Sequence, residues 1–142
     1  MSEAIDFHFK FKPLAPGLKR EELPQRMELD RWKGRRLAAF SSGMRQRVAL
    51  ALAFYTDSSL LVLDEPTVTL DQAGQQWFKS QLALHRNERL IVIASNVASD
   101  LEDCQHILTL GVKGLEILNL NDFDSHVICG QKYNYTATDF RW

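Results

Sequence analysis

Two stretches of this sequence hold residues whose types and spacing could do chemistry. The first is LLVLDEPTVTLD, residues 60–71, where an apolar run ends in two adjacent carboxylates, Asp64 and Glu65, and Pro66 sets the exit of the chain. Neighbouring carboxylates at a strand end can divide labour. One holds Mg²⁺, usually through water, beside a phosphate, and the other orients and deprotonates an attacking water. A helix-capping Asp followed by a solvated Glu is the plainer alternative, and the pair taken alone favours it. The second stretch is SSGMRQR, residues 41–47, at the start of an apolar helical run. Its small residues either cap that helix or let an anion reach the backbone N–H groups and the positive end of the helix dipole. For an anion, Ser41 and Ser42 add hydroxyl donors, Gly43 clears the approach, and Arg45 and Arg47 add positive charge.

The elements that must position these residues follow from pattern and punctuation. Residues 2–12 read as a short helix capped by Ser2 and ended by Pro13 and Pro16-Gly17, although the alternation of Phe7, Phe9 and Phe11 also fits a strand. Residues 19–30 read as a second helix, in which Pro24 implies a kink or a late start, and 30–36 as a polar connection turning at Gly34. A helix from Ser42 to about Asp57 is apolar on nearly every face and therefore buried. LLVLD, 60–64, reads as a central strand covered on both faces. Asp71 caps a helix over 72–85, RLIVIAS (89–95) is a second buried strand, and 98–103 is a short helix. HILTL (106–110) and LEILNL (115–120) form a hairpin through Gly111 and Gly114. The segment 125–142, with Tyr133, Tyr135, Phe140 and Trp142, receives no element. Strand–helix–strand implies a parallel pair with a right-handed crossover, so ligand chemistry belongs just after 63 and just after 94, at the carboxyl ends of the strands.

Composition narrows the function classes. At 142 residues one domain is expected. With 17 basic and 18 acidic residues, net charge −1, nothing favours binding to nucleic acid or to an anionic membrane surface. No apolar run approaches the ~20 residues that span a bilayer. The four histidines lack ligand-pair spacing, so no structural metal is expected, and Cys104 and Cys129, outside any CxxC pattern, read as free thiols. DRWKGRR (30–36) is a solvated linker rather than a phosphate patch, and NLNDFDSH (119–126) a surface turn rather than a calcium loop.

Taken together, SSGMRQRVALALAFYTDSSLLVLDEPTVTLD resembles the signature, Walker B and D-loop block of ATP-binding cassette (ABC) transporter ATPases, in the form of a bacterial exporter-like subset. Phe40-Ser41-Ser42-Gly43-Met44 stands where the family has LSGGQ, LLVLDEPT matches Walker B and the glutamate after it, and Thr69-Leu70-Asp71 matches the D-loop. LIVIASNVASDLEDC resembles the strand and switch region. The resemblance implies a partial P-loop NTPase fold of the α/β class: a helical signature subdomain over 1–57, the C-terminal part of a mainly parallel sheet with flanking helices over 58–124, and a tail over 125–142. It implies ATP and Mg²⁺ as ligands. Asp64 supports the Mg²⁺ shell and Glu65 is the general base. Ser41, Ser42, Gly43 and Met44 face the γ-phosphate of ATP held by an opposite subunit, and Asp71 belongs to the loop crossing that interface. The implied partners are a second nucleotide-binding subunit, or a second copy of this chain, and a transmembrane transporter subunit at the cytoplasmic face of the membrane.

Two departures shape the expected activity. No glycine is directly followed by lysine, so no GxxxxGK[ST] phosphate loop is present, and the resemblance reads the chain as the back half of a longer cassette. Asn96 stands where the family usually has histidine; it donates a hydrogen bond but is no charged acid. It could also cap the short helix after it. The function expected is an ATP-binding subunit coupling hydrolysis to transport. The alternative is a catalytically silent module that donates its signature face in trans. Chromosome-maintenance ATPases share the signature logic but call for coiled coils and basic surfaces, and the sequence has neither.

Overall fold

The computed structural model describes residues 1–86, 89–104, 106–111, 114–118 and 127–131. Helix α1 (Ser2–Phe11) forms as expected and turns Ile5 and Phe9 into the core. Ser2 does not cap it: Met1 holds the cap position, and the Ser2 hydroxyl donates to Lys33 O instead. The expected second helix breaks up. A single 3₁₀ turn, Arg20–Glu22, leads into a four-residue helix, α2 (Leu23–Arg26). Pro24 lies in its first turn, where its missing N–H is no loss, so the late start is the outcome. Glu28 follows with φ 57°, the left-handed turn that ends the segment.

Helix α3 (Ser42–Phe54) buries Val48, Leu50, Ala51 and Phe54. It packs against α4 (Gln72–His85), whose Trp77, Phe78 and Leu82 enter the same core. Phe54 is the hub, with ring centroids 6.4 Å from Trp77 and 5.9 Å from Phe78. Between these helices the chain lays down β1 (Leu60–Asp64), and after α4 it returns in β2 (Leu90–Ala94), paired parallel to β1 with Leu61 opposite Ile91 and Asp64 opposite Ala94.

The five described strands run in the order β1-β2-β5-β3-β4. The β3 (His106–Gly111) and β4 (Gly114–Leu118) strands pair antiparallel, with Gly111 opposite Gly114, which is the expected hairpin. The β5 strand (Val127–Gln131) falls within the segment expected as a tail, yet it lies between β2 and β3 and is parallel to both. The turn expected over 119–126 and the aromatics Tyr133, Tyr135, Phe140 and Trp142 lie outside the described residues.

Two further expectations need correction. The β1 strand is not covered on both faces: it ends the sheet order, and while Leu61 and Leu63 are buried, Leu60 is 50% and Val62 65% exposed. An all-apolar run signals two covered faces only where a layer lies on each, and here helices α3 and α4 pack against one. Cys104 is not a free thiol but disulfide-bonded, and the Cys129 side chain lies outside the described residues. The absence of CxxC spacing argues against metal and redox motifs; it does not bear on a disulfide between distant positions.

Candidate functional site

The predicted residues assemble into two separate groups. The first surrounds the start of α3. The Ser41 hydroxyl accepts from Met44 N at 3.2 Å, so Ser41 is a working N-cap. Ser42, Gly43 and Met44 then form the first helical turn and line a cleft of about 300 Å³. Leu29, Trp32 and Arg47 line it as well, together with Thr69 and Asp71 from the loop after β1. That loop sits hard on the glycine: a Cβ at Gly43 would lie 2.8 Å from Thr69 O. Gly43 therefore clears space for the chain's own loop, in addition to leaving the helix terminus accessible.

Charge at this cleft is already partly matched. Arg47 is buried and places Nη1 3.0 Å from Glu28 Oε2 and Nη2 3.6 Å from Asp71 Oδ1, with its guanidinium 5.6 Å from the Trp77 ring centre. Asp71 caps α4 by accepting from Gly74 N at 2.8 Å, the role predicted for it. Arg45 turns aside and donates to Phe40 O at 2.9 Å. Gln46 Nε2 donates to Pro66 O at 3.1 Å and ties α3 to the exit of β1.

The second group stands at the carboxyl ends of β1 and β2. Glu65 continues β1 by one residue, its N–H donating to Ala94 O at 2.8 Å, and then turns with φ 47°. This left-handed step swings its half-buried side chain toward the end of β2. There Asn96 Nδ2 donates to Glu65 Oε1 at 3.1 Å, and Asn96 N–H approaches Oε2 at 3.4 Å. Asn96 does not cap the next helix, α5 (Ala98–Leu101), whose cap position is Val97. Asp64 is exposed at the last position of β1, immediately before Glu65. Among the described residues no cluster of three His, Cys, Asp or Glu side chains forms a metal site. One strand-end carboxylate nevertheless suits Mg²⁺, which keeps several waters and takes its remaining ligands from substrate phosphates.

Three further residues were missed by sequence reasoning. Asp100, 4% exposed, accepts from Thr67 Oγ1 and from Ser95 Oγ, each at 2.7 Å, and both hydroxyl residues are buried. One signal was available: Ser95 continues the inward-facing series Ile91, Ile93, and a polar residue on a buried strand face calls for a partner.

Comparison with known proteins supplies independent evidence. The family model described as "ABC transporter" matches residues 14–68. The chain is 32% identical over 120 residues to the uncharacterized ABC transporter ATP-binding protein YhcH of Bacillus subtilis, covering 80% of this chain and 39% of that protein. It is 32% identical over 83 residues to the ABC transporter ATP-binding protein NatA of the same organism, 58% of this chain and 34% of NatA. An ATP-dependent lipid A-core flippase of Vibrio vulnificus is 39% identical over 83 residues, 58% of this chain and 14% of the flippase. The chain thus spans well under half the length of these relatives.

Proposed function

The chain belongs to the ABC transporter family, and from that premise we propose that it forms the signature-bearing part of an ATP-binding subunit that couples ATP hydrolysis to membrane transport. The observation that carries this reading is the division of its functional residues into two half-sites. At the α3 terminus, Ser42 and Gly43, with Ser41 and Met44 beside them, offer backbone N–H groups and hydroxyls to the γ-phosphate of ATP held by a second nucleotide-binding subunit. Asp71 lines the same cleft and would meet that subunit there. At the strand ends, Glu65 takes a proton from the attacking water, and Asn96 orients the Glu65 carboxylate by donating to it. Asp64 would support the hydration shell of Mg²⁺, which when bound would neutralise charge developing on the phosphates.

No segment of this sequence supplies the lysine-bearing phosphate loop, which favours a second reading: the chain by itself is catalytically silent and acts by presenting the α3 terminus in trans. The partners are then a nucleotide-binding subunit, which could be a longer homologue, and a transmembrane transporter subunit. No described helix is long and apolar enough to cross a membrane. The proposed place, at the cytoplasmic face, is that of the family's ATP-binding subunits beside their transmembrane partner.

The test is hydrolysis of Mg²⁺-ATP by the purified chain, alone and mixed with a subunit whose phosphate loop is intact but whose signature is disabled. The chain alone is expected to be inactive and the mixture active. Activity of the chain alone would remove the need for a partner, and an inactive mixture would remove donation in trans.

A further inference from the structure

We propose that Asp100 is a positioning residue that holds the Asn96–Glu65 pair in register by pinning Ser95. The role of Glu65 as base rests on the function proposed above; the positioning itself stands on geometry alone.

The Ser95 hydroxyl has one proton and two carboxylates within reach. It lies 2.7 Å from Asp100 Oδ2 and 3.4 Å from Glu65 Oε2, so the proton goes to Asp100. Its oxygen in turn accepts from Val97 N at 3.0 Å. Ser95 is therefore held from both sides, and Asn96, the next residue, inherits that placement. The second oxygen of Asp100 accepts from Thr67 Oγ1 at 2.7 Å. Thr67 lies two residues beyond Glu65. Asp100 thus clamps the chain just after β1 to the chain just after β2, and Glu65 and Asn96 are the two residues caught in that bracket.

The chemistry of the clamp argues for more than stability. Thr67, Ser95 and Asp100 are 3%, 0% and 4% exposed. Among the described residues no lysine or arginine stands within ion-pairing distance of Asp100. A carboxylate buried against two hydroxyls is an expensive way to join two strand ends, because apolar side chains of similar volume pack there without desolvating a charge. What apolar packing cannot supply is a fixed direction for the Ser95 hydroxyl. With that proton committed to Asp100, the approach between Glu65 and Asn96 is set by backbone placement.

The experiment reads the Glu65–Asn96 contact directly and needs no nucleotide. In the ¹⁵N-labelled chain the Asn96 side-chain amide is followed by NMR, and its shift on Glu65→Gln is measured in the wild-type, Asp100→Ala and Ser95→Ala backgrounds. If Asp100 positions the pair, the response falls below about half of its wild-type size in both backgrounds, because the two sites no longer couple. Retention of more than half in either folded variant overturns the proposal. Ser95→Ala removes one oxygen atom and keeps the Thr67–Asp100 bond, so it remains informative should Asp100→Ala fail to fold. Glu102→Gln, on the same turn of chain but bonded to exposed Lys79, should leave the response unchanged; a change there would mean that any perturbation of this turn disturbs the pair, and would overturn the specific role of Asp100. Failure of the hydrolysis assay would leave this result intact, and the reverse holds as well.

Discussion

Replacing Gly43 by alanine should destabilise the chain, although the same change inside an ordinary helix stabilises it. Gly43 lies in the first turn of α3, where a glycine-to-alanine change gains at most about 1 kcal/mol of helix propensity. Against that, the new Cβ would lie 2.8 Å from Thr69 O, short by about 0.6 Å of the 3.4 Å at which ordinary contact begins. The obstacle is backbone, so no rotamer relieves it. The loop must shift, yet Pro66 O holds Gln46 at 3.1 Å, Thr67 holds Asp100 at 2.7 Å, and Asp71 is anchored on Gly74 N at 2.8 Å. Overpacking at a held site costs about 1–3 kcal/mol. The net expectation is a loss of about 1 kcal/mol, or a fall of roughly 3 °C in the melting temperature of a chain this size. Thermal and urea denaturation of the full chain measure it. A variant about 1 kcal/mol more stable than wild type would refute the reasoning, since it would show that Thr69 does not rest on Gly43.

The remaining expectations concern the supports of the two groups. Arg47→Ala should cost about 1–3 kcal/mol in urea denaturation, through lost bonds and lost packing on Trp77, because the Glu28 and Asp71 side chains it leaves behind are 61% and 81% exposed and no charge is orphaned in the core. Arg47→Lys should recover little of this, as an ammonium cannot span both carboxylates; full recovery would contradict the pairing. Burial pushes the Tyr55 hydroxyl up to about 12, and it lies 3.0 Å from Gln81 Oε1. A raised folded value means that the Tyr55 contribution is complete below pH 10 and is lost as pH rises through 12, so wild type should lose stability over that window faster than Tyr55→Phe; parallel curves would refute it. Glu65→Gln should change stability by less than about 1 kcal/mol, since its bonds to Asn96 are exposed, and a loss above about 2 kcal/mol would mark Glu65 as a structural residue.

How much of this was legible depended on whether a signal was local. Asp71 was readable as the cap of α4 because capping is decided within four residues, and Ser41 as the cap of α3 for the same reason. Of the two readings open for Ser41–Gly43, the structure supports the cap directly, and the accessible cleft leaves room for the anion. The strands were readable from apolar runs, but the position of β1 at the end of the sheet order was not, because pairing order is set by segments far away in sequence. Residues 127–131 escaped for the same reason, since their place in the sheet is fixed by β2 and β3. Asp100 itself carried no signal in a stretch, SDLED, that reads only as part of a short helix; the hint lay at Ser95. Its burial comes from the chain folding so that Thr67 and Ser95, 33 and 5 residues away, both donate to its carboxylate.

The segment 65–71 joins the two halves of the site. It begins with Glu65 in a left-handed turn and ends with Asp71 capping α4 and facing Arg47. Between them Thr67 reaches the Asp100 clamp, and Thr69 O rests where a Gly43 side chain would be. The segment is short and closed on itself, with Leu70 N–H donating to Thr67 O at 2.9 Å. The two half-sites are therefore joined by seven residues whose backbone is constrained at both ends, by Thr67 on the Asp100 carboxylate and by Asp71 on Gly74 N–H, so the contact of Thr69 O with Gly43 is set by the same bonds that brace the chain just after Glu65.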